Sequence, residues 1–317
     1  MEFMKTGIPA ASDLSMLHTA RMRKDPCIVW SSGTGSNTER EPLCTIERDQ
    51  FYKMYVRASE NFYQVSSAGI KTLSFEINHT AGLGEVPAWR DISARLTEGY
   101  LSRLQEKGVG QPVLNLIREN LDLEGAAVQL GALAKTYGVK ESEILLAHEV
   151  AAQAHARQTF ARPQDTQGLF HIPYVQHPIN MAIHAMKLSL PAAAVMKSLL
   201  HDVVEDTDVT SSDLAKKFES SVLDGVGELT KSPNQSREEF LEHVKTLRGE
   251  TAVIKGLDRY DNLIRAFAID DPKYHRRILG ECAAVYDEIF HREPELQGFR
   301  PNYELLKEEL RRFSAQP

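Results

Sequence analysis

Pro191-Ala192-Ala193-Ala194-Val195-Met196-Lys197-Ser198-Leu199-Leu200-His201-Asp202-Val203-Val204-Glu205-Asp206 runs from an apolar stretch into an imidazole and three carboxylates. Its apolar residues predict a helix over Pro191–Val204, with the proline in the first turn. Glu205 falls one turn beyond His201, and Asp206 one turn beyond Asp202. A helix continuing that far lines all four groups on one mouth. Delivering such groups to a semi-buried pocket is costly unless a metal or a proton-transfer role compensates. An aspartate beside a histidine suits Mn²⁺, Fe²⁺ or Zn²⁺. The same residues would also serve as an amphipathic helix end with solvated acids.

Outward from that run the pattern stays helical. Trp89–Lys107, Val113–Leu123, Ala126–Tyr137 and Glu141–Thr159 precede it, the last with Ser142 as a cap residue near its start. His177–Leu188 comes next, after a loop over Phe160–Pro173. Beyond the run, a short helix starts at Thr210-Ser211-Ser212-Asp213. Val222–Thr230, Glu238–Leu247, Glu250–Ala268, Lys273–His291 and Asn302–Arg312 complete an all-α array. Met1 to about Glu47 shows no sustained periodicity and is expected to be mostly irregular, while Ile70–Ile77 alternates like a short strand. The expected division is an N-terminal extension over 1–110, flexible at 1–47, and a helical domain over 111–317.

Two further stretches carry chemistry. His177 opens a helix in Tyr174-Val175-Gln176-His177-Pro178, where a cap or core role competes with metal ligation. His155 is read the same way, and His171 and His184 rank below it. In Ile254-Lys255-Gly256-Leu257-Asp258-Arg259-Tyr260-Asp261-Asn262-Leu263, Asp258 and Asn262 share a stripe with Lys255. That reads as a polar pocket floor or as a salt-bridged helix surface.

Composition narrows the classes. The 317 residues are 42% hydrophobic and 26% charged, enough for a packed core, with net charge −7 and pI near 5.9. That balance argues against nucleic-acid or anionic-membrane partners, though a local basic pocket for a phosphorylated small molecule stays open. Cys27, Cys44 and Cys282 form no CxxC and no disulfide framework, as expected in a reducing compartment. No stretch approaches the ~20 apolar residues that span a bilayer, and no standard secretory signal is expected. The cytoplasm is the expected location. The Ser/Thr/Gly-rich leader around Ser31-Ser32-Gly33-Thr34-Gly35-Ser36 supports the alternative of an exported effector acting in a host cell.

In order along the chain, these stretches read His, then His-Asp, then Asp on successive helices. The chain resembles HD-superfamily metal phosphohydrolases, whose pattern is H…HD…D. Over Ile172–Phe267 it resembles the hydrolase domain of RelA/SpoT-type alarmone hydrolases, including small stand-alone forms. Pro173-Tyr174-Val175-Gln176-His177-Pro178, His201-Asp202-Val203-Val204-Glu205-Asp206-Thr207-Asp208-Val209-Thr210 and Ile254–Leu263 carry the resemblance. It implies an HD-type helical array and one Mn²⁺ held by His177, His201, Asp202 and Asp258. It implies that Glu205 and Asp206 position or activate the attacking water. Lys255, Asn262, Tyr174 and Arg162 would contact the nucleotide. One departure stands out. Thr159-Phe160-Ala161 occupies the place of the family's basic pair, and Arg162 arrives later, with Arg157 as another substitute.

The N-terminal third carries no Walker A, no GxGxxG in a strand-turn-helix setting and no nucleophile elbow. No synthetase domain follows the hydrolase-like region, so a hydrolase-only protein is expected. The expected reaction is Mn²⁺-dependent removal of the 3′-pyrophosphate of ppGpp or pppGpp, giving GDP or GTP. The alternatives are action on an adenosine alarmone or NADPH, or an antitoxin-like binding module. The partner is a small nucleotide, and the oligomeric state is left open.

Overall fold

The computed structural model describes residues 26–30, 42–47, 89–136, 141–155, 158, 174–269 and 271–315. From residue 89 onward every regular element is helical among the described residues. The helices are α1 Trp89–Glu106, α2 Gln111–Leu121, α3 Leu123–Thr136 and α4 Glu141–Ala154, then α5 Gln176–Lys187, α6 Ala192–Leu200, α7 Val203–Asp206 and α8 Ser211–Leu214. After them come α9 Ser220–Leu229, α10 Arg237–Thr246, α11 Gly249–Ala266, α12 Pro272–Glu281, α13 Asp287–Arg292 and α14 Arg300–Ser314.

The N-terminal region corrects one expectation. Two strands, β1 Pro26–Trp30 and β2 Pro42–Glu47, pair antiparallel where irregular chain was expected. Each is short and carries β-branched residues, too few for a periodicity argument to register. The expected strand at Ile70–Ile77 and the loop at Phe160–Pro173 lie outside the described residues.

One helix organises the rest. The α11 helix is buried on nearly all sides, with Ala252, Val253, Ile254, Leu257, Leu263 and Ile264 at 3% exposure or less. It packs against α2, α5, α6, α9, α13 and α14. A helix apolar or partnered all round belongs at the centre of a bundle. Gly256 lets a neighbour approach closely, because a β-carbon there would collide with the Leu296 side chain. The core does not begin at the division expected at residue 110. Tyr100, Leu101 and Leu104 of α1 join the same buried cluster as α2, α5, α11 and α14. Arg118 of α2 clasps Glu98 of α1 through two N–H donors at 2.9 and 3.0 Å.

Two helices end or change differently from the sequence reading. The expected helix over Pro191–Val204 stops at Leu200. His201 and Asp202 form a turn, with Asp202 at φ −100°, ψ −5°, before α7 starts. The helix expected over Lys273–His291 contains a π turn at Cys282–Tyr286 between α12 and α13. Beside that turn the Arg259 guanidinium lies 4.2 Å from the Tyr286 ring centre. Arg259 also joins Arg237 and Arg277 on the Glu281 carboxylate. Ser142 is not the residue that caps α4, which already begins at Glu141. Capping boxes stand at Thr210/Asp213 and Ser236/Glu239.

Candidate metal centre

The centre is built from three places in the chain. The first turn of α5 supplies His177, the turn after α6 supplies His201 and Asp202, and the middle of α11 supplies Asp258. Packing of α5 and α6 on α11 brings them together. His177, His201 and Asp258 offer ligand atoms that all lie within 4.8 Å of one another. The two Nε2 atoms are 3.2 Å apart. Asp202 Oδ2 joins them, 3.0 Å from His201 Nε2 and 3.6 Å from His177 Nε2. Asp258 Oδ1 lies 3.4 Å from His177 Nε2 and 3.9 Å from His201 Nε2.

The outer nitrogen of each ring is already engaged. His201 Nδ1 donates to the Ser198 carbonyl at 2.9 Å. His177 Nδ1 donates to Asp261 Oδ2 at 2.5 Å. With Nδ1 engaged, each Nε2 faces the other and two carboxylates, an arrangement that must take up either a proton or a metal cation at its centre. The donor set fits a divalent metal, with nitrogen and carboxylate oxygen in a closed group. Proton affinities follow the same crowding. Burial opposes it, but the Asp261 charge and the bonds that Asp258 and Asp261 accept push His177 up to about 9. Burial likewise works against Asp202, yet the His201 and His177 rings hold it well below the usual carboxylate range.

Each carboxylate has an outside partner. Tyr174 donates its hydroxyl to Asp202 Oδ2 at 2.5 Å. Burial first, then the Asp202 charge, keeps that phenol protonated. Its ring lies 4.7 Å from the His155 ring, with the Arg265 guanidinium 4.9 Å from its centre. Asp258 accepts from Lys255 Nζ at 3.3 Å and from the Asn262 side-chain amide. Lys255 is only 4% exposed, and its ammonium also lies 5.2 Å from the centre of the Phe240 ring.

The acid pair sits at the rim. Glu205 and Asp206 are exposed. Glu205 Oε2 accepts the backbone N–H of Lys231 at 2.8 Å, which ties α7 to the chain after α9. Asp206 stays one turn beyond Asp202 through an N–H to the Asp202 carbonyl at 2.9 Å. Its own carbonyl accepts from the Gln158 side chain at 2.7 Å. Desolvation, then the Asp202 and Glu205 charges, raise the Asp206 carboxyl to about 6.

The sequence candidates divide as follows. The structure gathers His177, His201, Asp202 and Asp258, with Tyr174, Lys255 and Asn262 on the two aspartates. His155 lies beside Tyr174, and His184 packs into the core against Tyr260 and Phe299. Arg162, Arg157 and His171 lie outside the described residues. Sequence reasoning missed Asp261, which is 0% exposed, and Asn120 and Asn180, which hold its other oxygen. A signal was present. Asp261 stands four residues after Leu257 and three before Ile264, on an apolar stripe where an acid needs a partner.

Residues 147–294 match the family described as HD domain. Curated relatives narrow the comparison further. A guanosine-3′,5′-bis(diphosphate) 3′-pyrophosphohydrolase of Vibrio cholerae is 34% identical over 183 residues, covering 50% of this chain and 24% of that protein. An enzyme of the same description from Drosophila melanogaster is 34% identical over 121 residues, 36% of this chain and 64% of its own. The match thus spans about a quarter of the length of the first bacterial relatives, 23% and 24%. A solved structure described as a metazoan ortholog of SpoT that hydrolyses ppGpp is 26% identical. The alignment covers 55% of this chain and 96% of that one, with a TM-score of 0.44.

Proposed function

We propose that this chain is a metal-dependent phosphohydrolase that removes the 3′-pyrophosphate of guanosine alarmones, converting ppGpp or pppGpp to GDP or GTP plus pyrophosphate. The observation that carries the reading is the closed group of two imidazoles and two aspartates with an acid pair at its rim. The relatives named guanosine-bis(diphosphate) pyrophosphohydrolases support the choice of substrate.

His177, His201, Asp202 and Asp258 would hold the ion, with Mn²⁺ as the proposed species. Such an ion makes bound water more acidic and neutralises charge on a phosphoryl oxygen. The chain's own groups do the rest. Tyr174 fixes the orientation of Asp202, while Lys255 and Asn262 fix that of Asp258. Glu205, steadied by the Lys231 amide, takes a proton from the attacking water. The water oxygen bonds to phosphorus as the bond to the ribose 3′-oxygen breaks. Asp206, raised to about 6, holds a proton for part of the time near neutrality and can deliver it to that leaving oxygen. Arg162 is proposed to contact the nucleotide phosphates.

One assay tests the reading. The full chain with Mn²⁺ is offered ppGpp, pppGpp, the adenosine analogue pppApp and NADPH, and released phosphate and pyrophosphate are measured. Pyrophosphate from the guanosine compounds is the expected result. Turnover of pppApp or NADPH alone would move the substrate elsewhere within the same chemistry. No turnover of any, with tight protein binding instead, would leave a binding module.

A further inference from the structure

Each group in the cluster is backed by a neighbour, and one of those neighbours is a buried charge. Asp261 is 0% exposed. One oxygen takes the Nδ1 proton of His177, and the other accepts from the side-chain amides of Asn120 on α2 and Asn180 on α5. Gln176 closes the set by donating to the Asn120 carbonyl and to Asn180 Oδ1, at 3.0 and 2.8 Å. Asn180 also donates to the Asn120 carbonyl at 2.9 Å. A carboxylate wholly removed from water costs several kcal/mol unless its lone pairs are taken up. Here three N–H donors from two helices, His177 and Asn180 on α5 and Asn120 on α2, take them up.

The direction of the pairing decides what it does. The ring that Asp261 grips is the one whose Nε2 faces His201, Asp202 and Asp258. A carboxylate on the far N–H of a ligating imidazole selects the tautomer, locks the ring plane and increases the donor strength of the near nitrogen. An ion pair that served packing alone would have no need to meet a ring on that nitrogen.

We propose that Asp261 is the positioning carboxylate of a carboxylate–histidine–metal triad, and that Asn120 and Asn180 extend its control of cation affinity to α2. The inference rests on reading His177 as a metal ligand.

The test titrates Mn²⁺ by calorimetry into the chelator-treated full chain and records melting of the metal-free protein. Asp261→Asn keeps the shape and removes the charge. It should weaken Mn²⁺ binding about 10- to 100-fold, the usual range for loss of an outer partner, while metal-free melting stays close to that of the parent. Asn120→Ala, which leaves the charge and removes one of its holders, should weaken binding several-fold. It also decides the matter if Asp261→Asn does not fold. Parent-like affinity in folded Asp261→Asn, or in folded Asn120→Ala if the first variant is lost, overturns the proposal while the metal reading stands. Failure of the parent chain to bind Mn²⁺ overturns both.

Discussion

At the scale of single residues, Asp202 and Glu205 stand three positions apart and have different surroundings. Asp202 Oδ2 is within 3.6 Å of both imidazoles, whereas Glu205 points to the rim and accepts the Lys231 amide. Asp202→Ala should therefore abolish turnover and metal retention together. Glu205→Ala should lower kcat roughly 10²- to 10⁴-fold, the range for a positioned acid or base, and keep most of the metal. Elemental analysis beside a turnover assay checks both, and equal metal loss in the two variants would refute the division of roles. The ligand candidates were legible because His, His-Asp and Asp recur in chain order on helical segments. Asp261 was passed over, since an acid one helical turn from Asp258 looks like surface charge, although its place between Leu257 and Ile264 on an apolar stripe marked it as buried. Lys255, expected to contact the nucleotide, donates to Asp258 and is 4% exposed.

At the scale of elements, the tightest fit is at Gly256, halfway along α11. Any side chain there meets Leu296 and Ile289, both 0% exposed. Gly256→Val should cost about 1–3 kcal/mol through overpacking, read as a lower urea midpoint with an unchanged slope. Helix existence was legible almost throughout, because apolar residues at three- and four-residue spacing mark buried faces. Helix ends were less so. His201 and Asp202 continue the apolar run in sequence, yet the imidazole of His201 bonds back to Ser198 and the backbone turns before α7. The π turn at Cys282–Tyr286 was hidden for a related reason. One inserted residue shifts a periodic pattern by less than a helical turn, so Lys273–His291 still reads as continuous.

At the scale of the whole molecule, His148 and His184 contribute to the loss of stability in acid. Burial pushes His148 and His184 down to about 4, against 6.5 in the open chain. The folded state thus binds fewer protons than the unfolded state between those values. The contribution of these two rings is full above pH 6.5 and falls as pH drops toward 4, by roughly 3 kcal/mol per ring, while His177, raised to about 9, works in the opposite direction above pH 6.5. Asp206, raised to about 6, acts in the opposite direction over part of that window, but it lies at the solvent-screened rim. Chemical denaturation of metal-free protein at pH 7.5 and 4.5 should show the net loss, and equal midpoints would contradict it. No helix among the described residues is long and apolar enough to cross a membrane. The shared core of α1 and α2 has a practical corollary. A trimmed gene opening at codon 111 would strip Tyr100, Leu101 and Leu104 from their partners and leave a greasy scar. Its product should sediment as aggregates, whereas one opening at codon 89 should stay dispersed.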